Sequence, residues 1–262
     1  MANSDNLLHP DELLELAIEF VEEGASRGIT LRLLGSLAVR AHTEGPGGLL
    51  DLLERVPTHD IDYMGYSGDQ AAADRYFVEE LGYQPDPAVA HSLEYGINRL
   101  IYYQQDGPVM VEVFLDQLRM AHTLDFRGRL ELDSPTVSLV DLLLTKLQIV
   151  QITEKDIKDM IALLAGHELG GGGRDEVDVD YLIRLTSKDW GLYHTAYANL
   201  QTLRQWTTSY EVLDLAIRED VTDKVDSILE RLEEAQKSPG WILRSLIGTR
   251  VKWYEDVGDV HR

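Results

Sequence analysis

Thr58-His59-Asp60-Ile61-Asp62-Tyr63 is the stretch on which the reading of this chain turns. If it is extended, its side chains alternate between two faces. Asp60 and Asp62 then share one face, and Ile61 and Tyr63 take the other. Two neighbouring carboxylates repel each other unless a cation sits between them. A hard ion such as Mg²⁺ relieves that repulsion through oxygen ligands. The plain alternative for an Asp-x-Asp is a solvated strand face or a turn. The segments on either side therefore carry the decision.

Upstream, Thr30-Leu31-Arg32-Leu33-Leu34 reads as a short buried strand running straight into Gly35-Ser36. Leu37 to His42 then reads as a helix. Glycine lets backbone approach a ligand closely. A helix N-terminus attracts phosphate through its free amides and dipole, and Ser36 adds a hydroxyl. A tight turn with Ser36 as helix cap is the simpler alternative. Glu44 to Val56 is an irregular insert with Gly45-Pro46-Gly47-Gly48 and a short apolar turn of helix.

Downstream, a helix is expected over Gly68–Leu81, with Gly82 ending it. Arg99–Tyr103 and Val109–Leu115 read as two strands joined by a turn containing Asp106-Gly107. In the second, Val109, Val111, Val113 and Leu115 share one face, and Met110, Glu112, Phe114 and Asp116 the other. Glu112 is thus a charge inside an otherwise apolar strand. A buried charge is costly unless it is paired or metal-bound, so Glu112 is the third candidate carboxylate. Asp116 has the same parity, but it stands at the strand end, where a charge is easily solvated.

The 262 residues carry a formal net charge of −22 and no cysteine. That excludes disulfides and thiolate metal sites, and it suits a reducing compartment. Such a charge repels nucleic acid at long range, so an RNA or DNA partner would need a local basic patch. No apolar run reaches membrane-spanning length. The first residues lack a basic segment followed by an apolar one, so no signal peptide is expected. A cytoplasmic protein without a membrane partner is the expectation.

The remaining pattern is mostly helical. Pro10-Asp11-Glu12 opens an amphipathic helix that Gly24 and Gly28 are expected to break. A short strand is expected near Arg129–Leu132. Ser138 to Asp141 resembles a capping box and opens a helix from Leu139 to about Val150 that contains Lys146. Lys146 is a candidate phosphate counter-charge or a helix lysine with its head in solvent. Thr153 and Asp156 form a second capping box, and Asp159 is expected to pair with Lys155 at helical spacing. Gly170–Gly173 reads as a linker between a first domain over 1–168 and a helical domain over 174–262. Helices are expected there at about Val179–Leu185, Leu192–Tyr210, Val212–Ala216 and Thr222–Ala235. His42 and His59 flank the acidic stretch, and each is expected to be structural or a hydrogen-bond donor rather than a base.

The order strand, Gly-Ser, helix, Asp-x-Asp strand and a further acidic strand resembles the nucleotidyltransferase superfamily, with its DNA polymerase beta-like fold. The matching residues are Leu34-Gly35-Ser36, Asp60-Ile61-Asp62 and Val111-Glu112-Val113. Asp141 to Lys146 and Lys155 to Asp159 look like the AbiEii-type branch, the toxins of type IV abortive-infection systems and their relatives. The resemblance covers roughly Thr30 to Leu164. It implies an α+β fold, with a nucleotidyltransferase-like mixed β-sheet packed by helices and an all-α C-terminal domain behind it. It also implies transfer of a nucleoside monophosphate from a nucleoside triphosphate to an acceptor hydroxyl. Asp60, Asp62 and Glu112 would hold Mg²⁺, two ions in the usual arrangement. Gly35, Ser36 and Lys146 would bind the nucleotide. The acceptor is an RNA end, a protein or a small molecule, and a toxin would have an antitoxin partner. The chain departs from the family in a long stretch between Ser36 and Asp60 and in having Glu112 where aspartate is usual. A catalytically silent nucleotide-binding or interaction module on the same fold is the competing expectation. A third is a partner-binding protein using Trp206, Trp241 and Trp253.

Overall fold

The structure, a computed structural model, describes residues 8–43, 48–55, 60–87, 89 and 98–256. His59, expected beside the site, lies outside them. The chain divides into two compact units. The first comprises Met1–Ala41, Val56–Leu118 and Asp125–Ser138; the second comprises His42–Arg55, Arg119–Leu124 and Leu139–Arg262.

The first unit is a mixed α+β fold. Helix α1 (Pro10–Ser26) opens with Pro10 in its first turn. His9 caps it reciprocally with Glu12, so two otherwise orphaned amides are satisfied. Gly24 does not break the helix. It is buried, with Leu31 close enough that a Cβ at position 24 would just touch it. The chain turns instead at Gly28, whose φ of 75° suits glycine.

Five strands form one sheet: β1 (Leu31–Leu33), β2 (Asp60–Gly65), β3 (Gln84–Pro85), β4 (Arg99–Tyr103) and β5 (Met110–Leu115). Their spatial order is β1-β2-β5-β4-β3. β2 and β5 run parallel, and the other neighbours are antiparallel. Pro85, which cannot donate to a ladder, sits on the edge strand β3.

One face of the sheet is apolar. Ile61, Tyr63, Val111 and Val113 are fully or almost fully buried. The Tyr63 hydroxyl donates to the Ala17 carbonyl of α1 at 2.7 Å. Tyr102 of β4 stacks on Phe77 with ring centres 4.8 Å apart, and its hydroxyl donates to Asp74 at 2.6 Å. Burial and the Asp74 carboxylate both hold the Tyr102 hydroxyl protonated far above its usual range. Phe77 belongs to a continuous helical stretch: a 3-10 turn at Ser67–Asp69, α4 (Gln70–Asp74) and a π-helical segment Arg75–Glu80. Helix α2 (Gly35–Ala41) follows β1 directly.

Short strands β6 (Gln117–Arg119) and β7 (Thr123–Asp125) come next. The strand expected near Arg129–Leu132 is absent. Gly128 takes a φ of 71°, and the Arg129 and Leu132 amides bond back three residues, so the segment is a run of turns.

The second unit is helical: α3 (Leu49–Leu52), α5 (Leu139–Leu147), α6 (Glu154–Gly166), α7 (Val179–Thr186), α8 (Trp190–Ser209), α9 (Leu215–Glu234) and α10 (Pro239–Ile247). α5 is buried almost all round, through Leu139, Val140, Asp141, Leu142, Leu143, Leu144 and Leu147. With its leucines spread round the helix, it must be enclosed by neighbours. α5 and α6 therefore pack with α8 and belong to this unit rather than to the sheet.

Gly170–Gly173 accordingly lies inside the second unit. Gly170 ends β8 (Glu168–Gly170), which pairs in parallel with β9 (Glu176–Asp178). That small pair is the departure from an all-α C-terminal region. The helices expected at Val212–Ala216 and Thr222–Ala235 are one helix, α9, capped by Asp214. Trp206, Trp241 and Trp253 are half-buried. Trp241 packs edge-on to Tyr193, and the Trp253 indole donates to the Thr195 hydroxyl at 3.1 Å. Among the described residues no helix is long and apolar enough to cross a membrane.

Candidate functional site

The register of β2 against β5 builds the site. In the parallel ladder Asp62 stands opposite Glu112, and Asp60 stands opposite Met110. Strand parity puts Asp60, Asp62 and Glu112 on one face, away from Tyr63 and Val113. All three are half-buried, whereas Ile61 and Val111 between them are fully buried. The central position of these strands in the sheet order holds the carboxylates on a rigid support.

Gly35 meets this face from the β1–α2 turn. The preceding residue is tied down, because the Leu34 amide donates to the Asp62 carbonyl at 2.8 Å. Gly35 has a φ of 64°. A Cβ there would lie 3.3 Å from the Asp62 carboxyl carbon and closer still to one of its oxygens. The position thus needs glycine twice: for its backbone conformation, and for the space that the Asp62 carboxylate occupies. Ser36 follows in the first turn of α2. The structure thus brings Gly35 and the Asp62 carboxylate together.

Asp116 is accounted for differently. It adopts a φ of 61° just past β5, and its carboxylate accepts the Ser67 amide at 3.1 Å. It fixes the turn that follows β2 and is not one of the face carboxylates.

Arg99 was not anticipated. It opens β4 opposite Phe114, so it is the diagonal neighbour of Glu112 on the same face. Its Nη1 donates to Glu112 Oε1 at 2.8 Å, with the two side chains 19% and 13% exposed. The only sequence signal was parity across the hairpin, which requires the exact register.

Lys146 stands in the second unit, in a buried ion network. Its ammonium lies 3.1 Å from Asp156 Oδ1 and 2.8 Å from Asp159 Oδ2. Arg55 grips Asp159 with both arms of its fork, at 2.7 and 3.1 Å. Lys146 therefore does not hold its head in solvent. Asp159 pairs with Arg55 and Lys146 rather than with Lys155, because it faces inward at 1% exposure. Burial pulls the Lys146 pKa down, but Asp159 and Asp156 outweigh it and hold the value above the lysine norm. Burial likewise pushes Asp156 up, and Lys146 with the Thr153 hydroxyl reverses that, leaving its pKa lowered. Asp156 also completes the expected capping box with Thr153. His42, also in the second unit, packs edge-on against His167 with ring centres 5.5 Å apart.

The donor set suits Mg²⁺ in kind, since three carboxylates supply hard oxygen ligands. Its geometry is not yet that of a metal cage: among the described residues no three His, Cys, Asp or Glu side chains are gathered closely enough to hold an ion. Glu112 is instead engaged with Arg99. No protein-family model matches the chain, and no curated protein matches it.

Proposed function

We propose that the acidic face of β2 and β5 supports metal-dependent nucleotidyl transfer. A nucleoside monophosphate passes from a nucleoside triphosphate to an acceptor hydroxyl, and pyrophosphate leaves. The observation that carries this reading is the pairing of Asp62 with Glu112 in adjacent parallel strands, with Asp60 on the same face and the Gly35 turn packed onto Asp62. Asp60, Asp62 and Glu112 are the residues that would hold Mg²⁺. Bound there, the metal would offset charge building on the attacking and leaving oxygens. Gly35 and Ser36 present backbone amides at the start of α2 to the β and γ phosphates. Glu112 accepts the proton of the acceptor hydroxyl. Lys146, also expected to bind the nucleotide, is ion-paired with Asp156 and Asp159 in the second unit. The acceptor is an RNA end, a protein or a small molecule, and a toxin role with an antitoxin partner is compatible with the same chemistry.

The test is label transfer from each of the four α-³²P nucleoside triphosphates, with Mg²⁺, to tRNA, to protein and to small-molecule acceptors. Wild type and Asp116→Asn are expected to transfer label from at least one nucleotide. Asp62→Asn and Glu112→Gln are expected to lose transfer by at least about 100-fold, in keeping with removal of a positioned acid–base or metal-binding group. Equal transfer by wild type and Asp62→Asn with every nucleotide would refute the reading. The Arg99–Glu112 ion pair favours a second one, a silent nucleotide-binding module on the same scaffold. Nucleotide binding by calorimetry without label transfer to any acceptor would select it.

A further inference from the structure

The ion pair on the acidic face is incomplete in an informative way. Arg99 uses Nη1 to hold Glu112, yet its Nε–H is buried and has no hydrogen-bond partner among the described residues. An unsatisfied buried donor costs about 1–3 kcal/mol. The guanidinium carries its donors in a rigid fork that suits two oxygens at once. On Glu112 that fork is used through one arm. Phosphate oxygens would satisfy it through two.

The neighbourhood points the same way. Arg99 stands at the start of β4, on the face that carries Asp60, Asp62 and Glu112. Arg32 lies on that face as well, opposite Met64. It donates through Nε to the Asp133 carbonyl at 2.6 Å and through Nη1 to the Leu31 carbonyl at 2.7 Å, so both ends of its fork are used. Arg99 differs in having a buried Nε–H with no partner among the described residues.

Resting on the nucleotidyl-transfer reading above, we infer that Arg99 is a nucleotide-responsive clamp on the third carboxylate. Without ligand it neutralises Glu112 and keeps the three-acid set from closing on a cation. When a nucleoside triphosphate enters, the guanidinium moves to phosphate oxygens, its unsatisfied Nε–H gains an acceptor, and the Glu112 carboxylate is released to the metal. Cation and nucleotide then favour each other's binding, since each draws one partner out of the same ion pair. Arg99 is a positioning residue in the free protein and touches substrate in the loaded one.

The experiment measures Mn²⁺ binding to the intact chain without nucleotide, from the electron paramagnetic resonance signal of free Mn²⁺. Arg99→Gln is expected to tighten Mn²⁺ binding about tenfold, the scale of releasing one partly buried ion pair. Adding Glu112→Gln to Arg99→Gln is expected to remove the gain. Calorimetry of the four Mg²⁺–nucleoside triphosphates is expected to show weaker binding to Arg99→Gln than to wild type for the nucleotide that binds. Circular dichroism establishes that the variant is folded, and Arg99→Lys, which keeps the charge but loses the fork, is expected to fall between the two. Unchanged or weaker Mn²⁺ binding in Arg99→Gln overturns the clamp. If Asp62→Asn still abolishes Mn²⁺ binding in that case, the metal site stands and the clamp alone fails. If Asp62→Asn leaves Mn²⁺ binding intact, or no variant binds Mn²⁺, the site reading fails with it.

Discussion

Carboxylates meet cations in both compact units, and the two meetings differ in closure. In the helical unit Asp159 is 1% exposed, takes both arms of the Arg55 fork and shares Lys146 with Asp156. Two acids and two bases are matched, and each named contact is a short ion pair. On the sheet of the first unit Asp60, Asp62 and Glu112 share a face, and Arg99 reaches Glu112 through one arm. The first arrangement is a finished structural knot. The second holds three acids on one face, beside a buried Arg99 Nε–H that has no partner among the described residues.

The matched isosteres Asp159→Asn and Glu112→Gln put that contrast to the largest test. Removing one partner from a buried pair leaves the other charge without compensation, and typically costs about 3–5 kcal/mol. Urea unfolding of Asp159→Asn is expected to show a loss of that size. Glu112→Gln is expected to stay within about 1 kcal/mol of wild type, because relief of repulsion among the acids offsets the weakened pair. Equal losses from the two would erase the distinction between knot and site.

The next effect separates a space requirement from a backbone one. Gly35 and Gly28 both have a positive φ, at 64° and 75°. A Cβ at Gly28 meets nothing within 4 Å, whereas one at Gly35 runs into the Asp62 carboxylate. Each Gly→Ala change is expected to cost about 1–2 kcal/mol from left-handed strain. Only Gly35→Ala is expected to weaken Mn²⁺ binding as well, by moving Asp62. Mn²⁺ titration of the two variants checks this, and parallel behaviour would separate Gly35 from the site.

The smallest effect concerns a proton in the helical unit. His122 is buried, its amide donates to Gln148 at 3.0 Å, and its Nε2 lies 2.9 Å from the Thr195 hydroxyl. Burial holds its pKa below the ordinary histidine value. As pH falls below about 6.5 the unfolded chain takes up the proton before the folded one. Stability contributed by the neutral ring is therefore full above that pH and declines below it, by at most about 1.4 kcal/mol per pH unit. Urea midpoints at descending pH are expected to show this decline, and His122→Gln is expected to flatten it. An unchanged slope in the variant would place the proton elsewhere.

Much of the scaffold was legible because its signals are local. The Pro10-Asp11-Glu12 start, the Thr153–Asp156 box and the alternation in Met110–Leu115 each need only a few neighbours. What was not legible depends on distant partners. Arg99 is the clearest case. Strand bounds at Arg99–Tyr103 and Val109–Leu115 leave the register open, and the structure pairs Tyr103 with Met110. One residue of register sends Arg99 to the other face. Helical spacing alone pairs Asp159 with Lys155, but the rotation of the helix turns it toward Arg55, far away in sequence. The glycine run at 170–173 carries a linker signal, yet α5 is buried almost all round and packs with α6, α7 and α8.

The sheet order also has a kinetic consequence. β5 lies between β2 and β4, although it follows both in the chain. Until β5 inserts, the ladder edges that β2 and β4 will share with it are open, and Asp62 has no Glu112 beside it. Closing such non-local pairs is slow relative to forming local helices. A nascent chain must therefore emerge past Leu115 before the acidic face can exist at all. During that interval the open edges of β2 and β4 are the ones most exposed to pairing with another molecule's edge.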